Sequence, residues 1–177
     1  MREHIKLFEK KDNLVQTSLS YDLDALDPVF SEENMSYHYK ILARRYVDRY
    51  NNKEGDQQFN EAGAVLHNLF FSQFRPPSRT RPMELMQAFI ERNFKTYENM
   101  LAEVEKEAMA LQGSGWVYIA KDGSIKTIEN HAVKKDILIL IDVWEHSYYI
   151  DYGPDKKRYL KNIWRIIDWD KIEVKLT

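Results

Sequence analysis

An unbroken apolar run, Ile137-Leu138-Ile139-Leu140-Ile141, stops abruptly at Asp142, and His146 follows four positions on. A run of this kind predicts a strand buried on both faces. Ahead of it, Trp116-Val117-Tyr118-Ile119-Ala120 and Ile125-Lys126-Thr127-Ile128-Glu129 flank Lys121-Asp122-Gly123-Ser124, an Asp-Gly signal for a hairpin. The first half of the chain carries a helical period instead. Met35, His38, Leu42 and Tyr46 recur at three- and four-residue steps and share one face of a helix expected over about 32–51, with Ser31 and Asn34 as N-cap choices. A second helix is expected over about 58–74, with Gly63, His67 and Phe71 (or Phe70) on one stripe. The short polar loop from Asn51 to Asp56 makes the two helices an antiparallel pair.

Arg75-Pro76-Pro77-Ser78-Arg79-Thr80-Arg81-Pro82 stops the second helix and is the clearest linker. It divides the expected domains into 1–78, a helical hairpin, and 79–177, an α/β unit. In the latter, amphipathic helices are expected over Met83–Phe94 and from Thr96, as N-cap, to about Leu111, where Gly113-Ser114-Gly115 ends the second. A final helix is expected over Lys156–Ile167, with Trp169-Asp170-Lys171-Ile172 after it, while residues 1–20 are mixed and polar, an irregular arm. The fold class is α+β: helices first, then a three-stranded antiparallel sheet flanked by helices.

Composition narrows the chemistry. The net charge of −2 and the absence of any long tract of one sign do not favour a nucleic-acid backbone as main partner, and none is expected. No stretch approaches the ~18–20 apolar residues of a bilayer span, and the charged Met1-Arg2-Glu3-His4-Ile5-Lys6 lacks an apolar leader core. The expectation is a cytoplasmic protein without a membrane partner. With no cysteine, disulfides, thiolate metal sites and thiol nucleophiles are all removed. Any metal site must come from His, Asp and Glu.

A carboxylate at the end of an apolar strand costs several kcal/mol of desolvation unless something pairs with it. A metal ion is one such partner for Asp142; the alternative is that Asp142 caps a following helix and His146 is a surface histidine. Two neighbouring helices can aim His38 and His67 at a common point, which with Asp142 and His146 makes a set of three imidazoles and one carboxylate. Such a set suits Fe, Mn or Zn without separating them. Gly63, one turn before His67, is costly in mid-helix by about 0.5–1 kcal/mol and marks a close approach by another group.

Several stretches resemble the iron/manganese superoxide dismutase family. Asp142-Val143-Trp144-Glu145-His146-Ser147-Tyr148-Tyr149 is similar to its D-x-W-E-H-A-[FY]-Y signature, with Ser147 for Ala, and Gly113-Ser114-Gly115-Trp116 matches G-S-G-W. Tyr37-His38-Tyr39 with Tyr46-Val47, and Phe59-Asn60 with Gly63 and His67, resemble the two helix motifs. Tyr159-Leu160, Ile163-Trp164 and Asp168-Trp169 resemble the C-terminal W-x-x-[IV]-[ND]-W region. The resemblance implies one Fe or Mn per chain on His38, His67, Asp142 and His146, with solvent as fifth ligand. It implies redox dismutation of superoxide to dioxygen and hydrogen peroxide. Tyr46 falls at the substrate gate, and His131 where a residue bonds the coordinated solvent. Histidine there tilts the metal towards iron, because a hydrogen bond to that solvent alters its proton affinity and the reduction potential. Glu145 matches a residue that bonds the ligating His of a partner subunit, and Tyr149 lies at the same seam, so a homodimer is implied. Trp116 and Trp144 belong to the aromatic shell.

The departures lie outside the ligands. Leu42 stands where a histidine would join Tyr46 to the partner's Tyr149, and leucine neither donates nor accepts. Phe71 replaces a common Trp, Lys156 a usual Arg, Ile41 a common Lys and Ser20 a Pro, and the linker lacks the usual glycines. A second reading follows from them: a dismutase-like metal-binding or structural homodimer with weak or no turnover, as zinc, which does not cycle redox states, would produce.

Overall fold

The computed structural model describes residues 13–79 and 81–177. The start of the expected N-terminal arm lies outside them. Its remainder has no regular structure up to the turns that begin near Ser20, and two asparagines tie it down. Asn51 exchanges two bonds with the Leu14 backbone, each 2.9 Å, and Asn68 holds Thr17 N and Val15 O, also at 2.9 Å each.

Helix α1 is continuous but not uniform. Ser31 caps α-helical Glu32–Met35 through Asn34 N; a π-helical stretch, Ser36–Ala43, follows, and Arg44–Asn51 is α-helical again. The expected limits are therefore met, but the π stretch is new. Its wider turn, with i→i+5 bonding, carries His38, and such insertions gather at functional sites. Helix α2, Gln57–Ser72, is capped by Asp56 and buries Gly63, His67, Phe70 and Phe71. Packed together, α1 and α2 form the helical pair.

Helices α3 (Glu84–Phe94) and α4 (Tyr97–Ala110, capped by Thr96) precede strands β1 (Gly115–Ala120), β2 (Ile125–Glu129) and β3 (Ile137–Asp142). The sheet order is β2-β1-β3, antiparallel throughout, and every residue of β1 and β3 is buried. Helix α5, Glu145–Tyr152, comes next, then α6, Lys156–Asn162, which tightens into a 3-10 turn at Ile163–Arg165 instead of running on to Ile167. Helix α7, Trp169–Glu173, closes the fold with a final 3-10 turn.

The core runs through both halves. Phe30, Phe70, Phe74 and Tyr159, all fully buried, pack in T-shaped and tilted pairs with centroids 4.7–6.3 Å apart and join the hairpin to α6. Gln73 completes the link. As the outer strand, β3 would leave backbone groups unpaired. The Gln73 amide donates to Leu140 O and accepts from Leu140 N at 3.1 Å, acting as a one-residue substitute strand. No helix among the described residues is long and apolar enough to cross a membrane.

Candidate metal centre

Four side chains from four elements meet where the helical pair touches the end of β3. His38 comes from the π stretch of α1, His67 from α2, Asp142 from the end of β3 and His146 from the first turn of α5. Their nearest donor atoms all lie within 4.8 Å of one another. Asp142 Oδ2 is 3.2 Å from His38 Nε2, 3.8 Å from His67 Nε2 and 3.4 Å from His146 Nε2. None of these four atoms has a hydrogen-bond partner among the described residues, although all are buried. Unpaired buried polar atoms are costly. Metal bonds of about 2.1 Å place adjacent donors about 3.0–3.6 Å apart at 90–120°, close to the observed spacing. The convergence of orphaned donors is what an ion would satisfy.

Two of the four, Asp142 and His67, are oriented by hydrogen bonds. Asp142 Oδ1 accepts from the Trp144 backbone N at 2.9 Å, which turns Oδ2 inward. Asp142 does not cap α5, whose N-cap is Trp144 without a side-chain bond, and His146 faces the cluster, so the helix-cap alternative fails; Oδ1 orders the turn before the helix while Oδ2 faces the centre. The Asp142 carbonyl accepts from the Tyr159 hydroxyl at 2.8 Å, and that hydroxyl also meets Ser147 Oγ at 3.3 Å. His67 Nδ1 lies 2.7 Å from the carbonyl of Gly63, a group that only accepts. Nδ1 therefore carries the proton and Nε2 offers its lone pair to the centre, the tautomer a metal needs.

Protonation agrees with ligation. Burial pushes His38 and His67 below the ordinary imidazole range, so both are neutral. Burial alone would raise Asp142, but the facing His146 and His38 outweigh it and hold the carboxyl well below the usual range. Neutral imidazoles and an anionic carboxylate form the ligand state. Three nitrogens and one hard oxygen without sulfur suit iron or manganese.

Around the ligands lies an aromatic wall. Trp116 is paired in register with Asp142, and since cross-strand partners share a face, its ring stands beside the centre, 5.0 Å from His67. Trp116 Nε1 donates to His131 Nδ1 at 3.1 Å. His131, just after Asn130 with its left-handed backbone (φ 53°), stacks on Trp144 at 4.8 Å, and burial lowers it to about 4. Tyr46 stacks on His67 at 5.2 Å and meets the His131 edge at 4.9 Å. Burial, then the Asp142 charge, pushes its phenol to about 12. Gly63 makes this stack possible, for a Cβ there would lie 2.7 Å from Tyr46 Cδ1. The structure thus brings His38, His67, Asp142, His146, Tyr46, His131, Trp116 and Trp144 together. Glu145 and Tyr149 it leaves exposed on α5, outside the cluster.

Two neighbours escape sequence reasoning. Phe59, on the second-helix motif, contacts the His131 ring at 4.6 Å, and Phe70 lies 5.7 Å from His38. Phe59 carried a signal, its place beside Asn60 in the second-helix motif, and Phe70 was the alternative to Phe71 on the His67 stripe; neither spacing told which ring each would meet.

Residues 15–60 match the alpha-hairpin domain of iron/manganese superoxide dismutases, and residues 82–175 match their C-terminal domain. The superoxide dismutase (Mn/Fe) of Porphyromonas gingivalis is 35% identical over 88% of this chain and 95% of its own length. A superoxide dismutase (Fe) of Bacteroides fragilis is 33% identical over 89% of the chain and 96% of its own length. A superoxide dismutase (Mn) of Halobacterium salinarum is 32% identical over 86% and 90% respectively. With both domains matched and a three-histidine, one-aspartate centre suited to one iron or manganese ion, this chain belongs to the iron/manganese superoxide dismutase family.

Proposed function

We propose that this superoxide dismutase is an iron-favouring homodimer in which His38, His67, Asp142 and His146 hold the ion while Tyr46 and His131 serve the substrate. When bound, the ion supplies one-electron redox chemistry, taking an electron from one superoxide and passing an electron to the next. Two superoxides and two protons become dioxygen and hydrogen peroxide. The observation that carries the reading is the set of four unpaired buried donor atoms.

The chain's own residues supply the rest. Trp116 leaves His131 with its proton on Nε2, a buried donor without a partner among the described residues. Such a donor suits an anionic guest beside the centre. Tyr46, half-buried and with its phenol raised to about 12, keeps its proton at neutral pH and can donate to the same guest. Phe71 packs on His38 at 4.9 Å, Phe59 on His131 at 4.6 Å and Trp144 on His146 at 5.3 Å, apolar rings against the polar groups of the centre. Leu42, half-buried, offers no donor, so protons reach Tyr46 by another route than a side-chain relay through that position.

The preference for iron rests on His131, and the relatives' names span both metals. The homodimer is supported by Glu145, which has no ion pair among the described residues, and by Tyr149 and Ile150, 56% and 41% exposed beside ligand-bearing His146. The division at 78/79 is supported by the two family matches, which lie on either side of it. A cytoplasmic location is compatible with a cysteine-free chain that needs no oxidising compartment.

The deciding experiment is elemental analysis of the purified protein beside a dismutase assay after reconstitution with each metal. One Fe or Mn per chain and superoxide removal that His146→Ala abolishes are expected. Metal-replete protein without activity would overturn the assignment of roles, and higher specific activity with manganese would overturn the iron preference. Sedimentation of wild type and Glu145→Ala tests the dimer, a monomeric wild type counting against it.

A further inference from the structure

A second cavity, of about 580 Å³, shares no lining residue with the metal centre. It lies between the linker after α2, the start of α4, the end of α6 and the 3-10 turn that follows. Arg79, Arg81, Lys161 and Arg165 line it, and none of the described lining residues is acidic. Composition does not account for this, because the chain has 28 acidic and 26 basic residues. One cation is offset: Arg81 pairs with Glu98 at 3.0 Å. Arg165 instead donates to the neutral Asn162 amide at 3.1 Å, and neither Arg79 nor Lys161 has a carboxylate partner among the described residues. Three uncompensated cations in one concavity repel each other and raise the local concentration of anions.

The floor of the cavity is aromatic. Trp164 is buried at its base, and Tyr97 lies beneath the Arg81 guanidinium, 4.2 Å from its ring centroid. The walls are held in place by the backbone: Ser78 N donates to Arg165 O at 2.8 Å and Arg75 N to Ile166 O at 2.9 Å, fixing the linker against the turn. The volume falls in the usual range for small-molecule sites, about 300–1,000 Å³. Guanidinium forks match phosphate oxygens in geometry and charge.

We propose that this cavity binds a small organic polyphosphate with an aromatic body, the chemistry of a nucleoside di- or triphosphate. The phosphates meet Arg79, Lys161 and Arg165, and the ring lies against the floor at Trp164.

The test is calorimetric titration of the metal-loaded protein at low ionic strength with ADP, pyrophosphate and adenosine. ADP is expected to bind about tenfold or more tightly than either fragment. Lys161→Ala and Arg165→Gln are each expected to weaken ADP by about tenfold, with metal content and dismutase rate unchanged. Lys106→Ala, outside the cavity, leaves ADP binding intact. No ADP binding, pyrophosphate or adenosine binding as tightly as ADP, or ADP binding that both cavity variants leave intact would each overturn the proposal. The ligand series on the wild-type protein decides the matter even where a variant fails to fold.

Discussion

The indole Nε1 of Trp116 donates to Nδ1 of His131 at 3.1 Å, and this bond decides which nitrogen of His131 keeps its proton. An indole N–H can only donate, so Nδ1 must accept and the proton sits on Nε2. Strand register places Trp116 opposite Asp142, so one cross-strand pair holds a ligand and the residue that orients its neighbour.

Trp116→Phe keeps most of the wall and removes the donor. His131 is then free to take either tautomer, and the donor facing the centre is lost part of the time. Losing an outer partner of this kind costs about 10–100-fold in activity or metal affinity. Dismutase rate per bound metal should fall within that range, with metal content measured alongside. A rate equal to wild type would mean that the tautomer does not matter.

At Gly63 the contact is steric. A Cβ would sit 2.7 Å from Cδ1 and 2.8 Å from Cγ of Tyr46, and that ring is stacked on His67, one turn beyond Gly63 on the same helix. Gly63→Ala must push the ring off its stack or bend α2. Overpacking costs about 1–3 kcal/mol, to be read by urea unfolding. Turnover should drop while metal content holds. Wild-type values for both would show that the ring has room to move.

Acid should destabilise the metal-free protein. Burial holds His131 at about 4 in the fold, against about 6.5 in the unfolded chain. Between those values the unfolded state binds a proton that the folded state refuses, so this contribution is complete above the unfolded value and is lost as pH falls through the window. His38 and His67, lowered by the same burial, act in the same direction. Asp142 adds nothing between pH 7 and 5, because its unfolded value of about 3.9 lies below that range. His131 alone accounts for on the order of 2 kcal/mol lost between pH 7 and 5. Unfolding of chelated protein at the two values measures it, and equal stability would refute it.

Much of this site was legible because its signals are local. The apolar run before Asp142, the helical spacing of His38 and Tyr46 and the Asp-Gly turn each sit within a few residues. What was hidden depends on contacts across the chain. The π stretch at Ser36–Ala43 is a change of hydrogen-bond register that leaves no mark on composition. Helix α5, with its Tyr-Tyr-Ile run, has little helical propensity of its own; Asn34 Nδ2 bonding Ser147 O and the Tyr152 hydroxyl bonding Val29 O hold it in place. The cationic cavity draws on three separate segments, so no basic run announces it.

Gln73 carries the last prediction. Its amide satisfies both backbone groups of Leu140 on the outer edge of β3, two residues before Asp142. Both residues are buried, with 1% exposure each, so water cannot replace the bonds. Gln73→Met fills similar space but leaves the Leu140 N–H and C=O unpaired, at about 1–3 kcal/mol for each group. Unfolding free energy should fall by roughly 2–6 kcal/mol if both losses are felt. The loosened strand end should also release metal to a chelator faster, because Asp142 is anchored only a short way along it. Hydrogen exchange at the Leu140 amide separates this from general loosening: it should accelerate more than exchange at Val117 in the middle of the sheet. An amide at Leu140 that stays as protected as in wild type would mean that β3 does not depend on Gln73 for its edge.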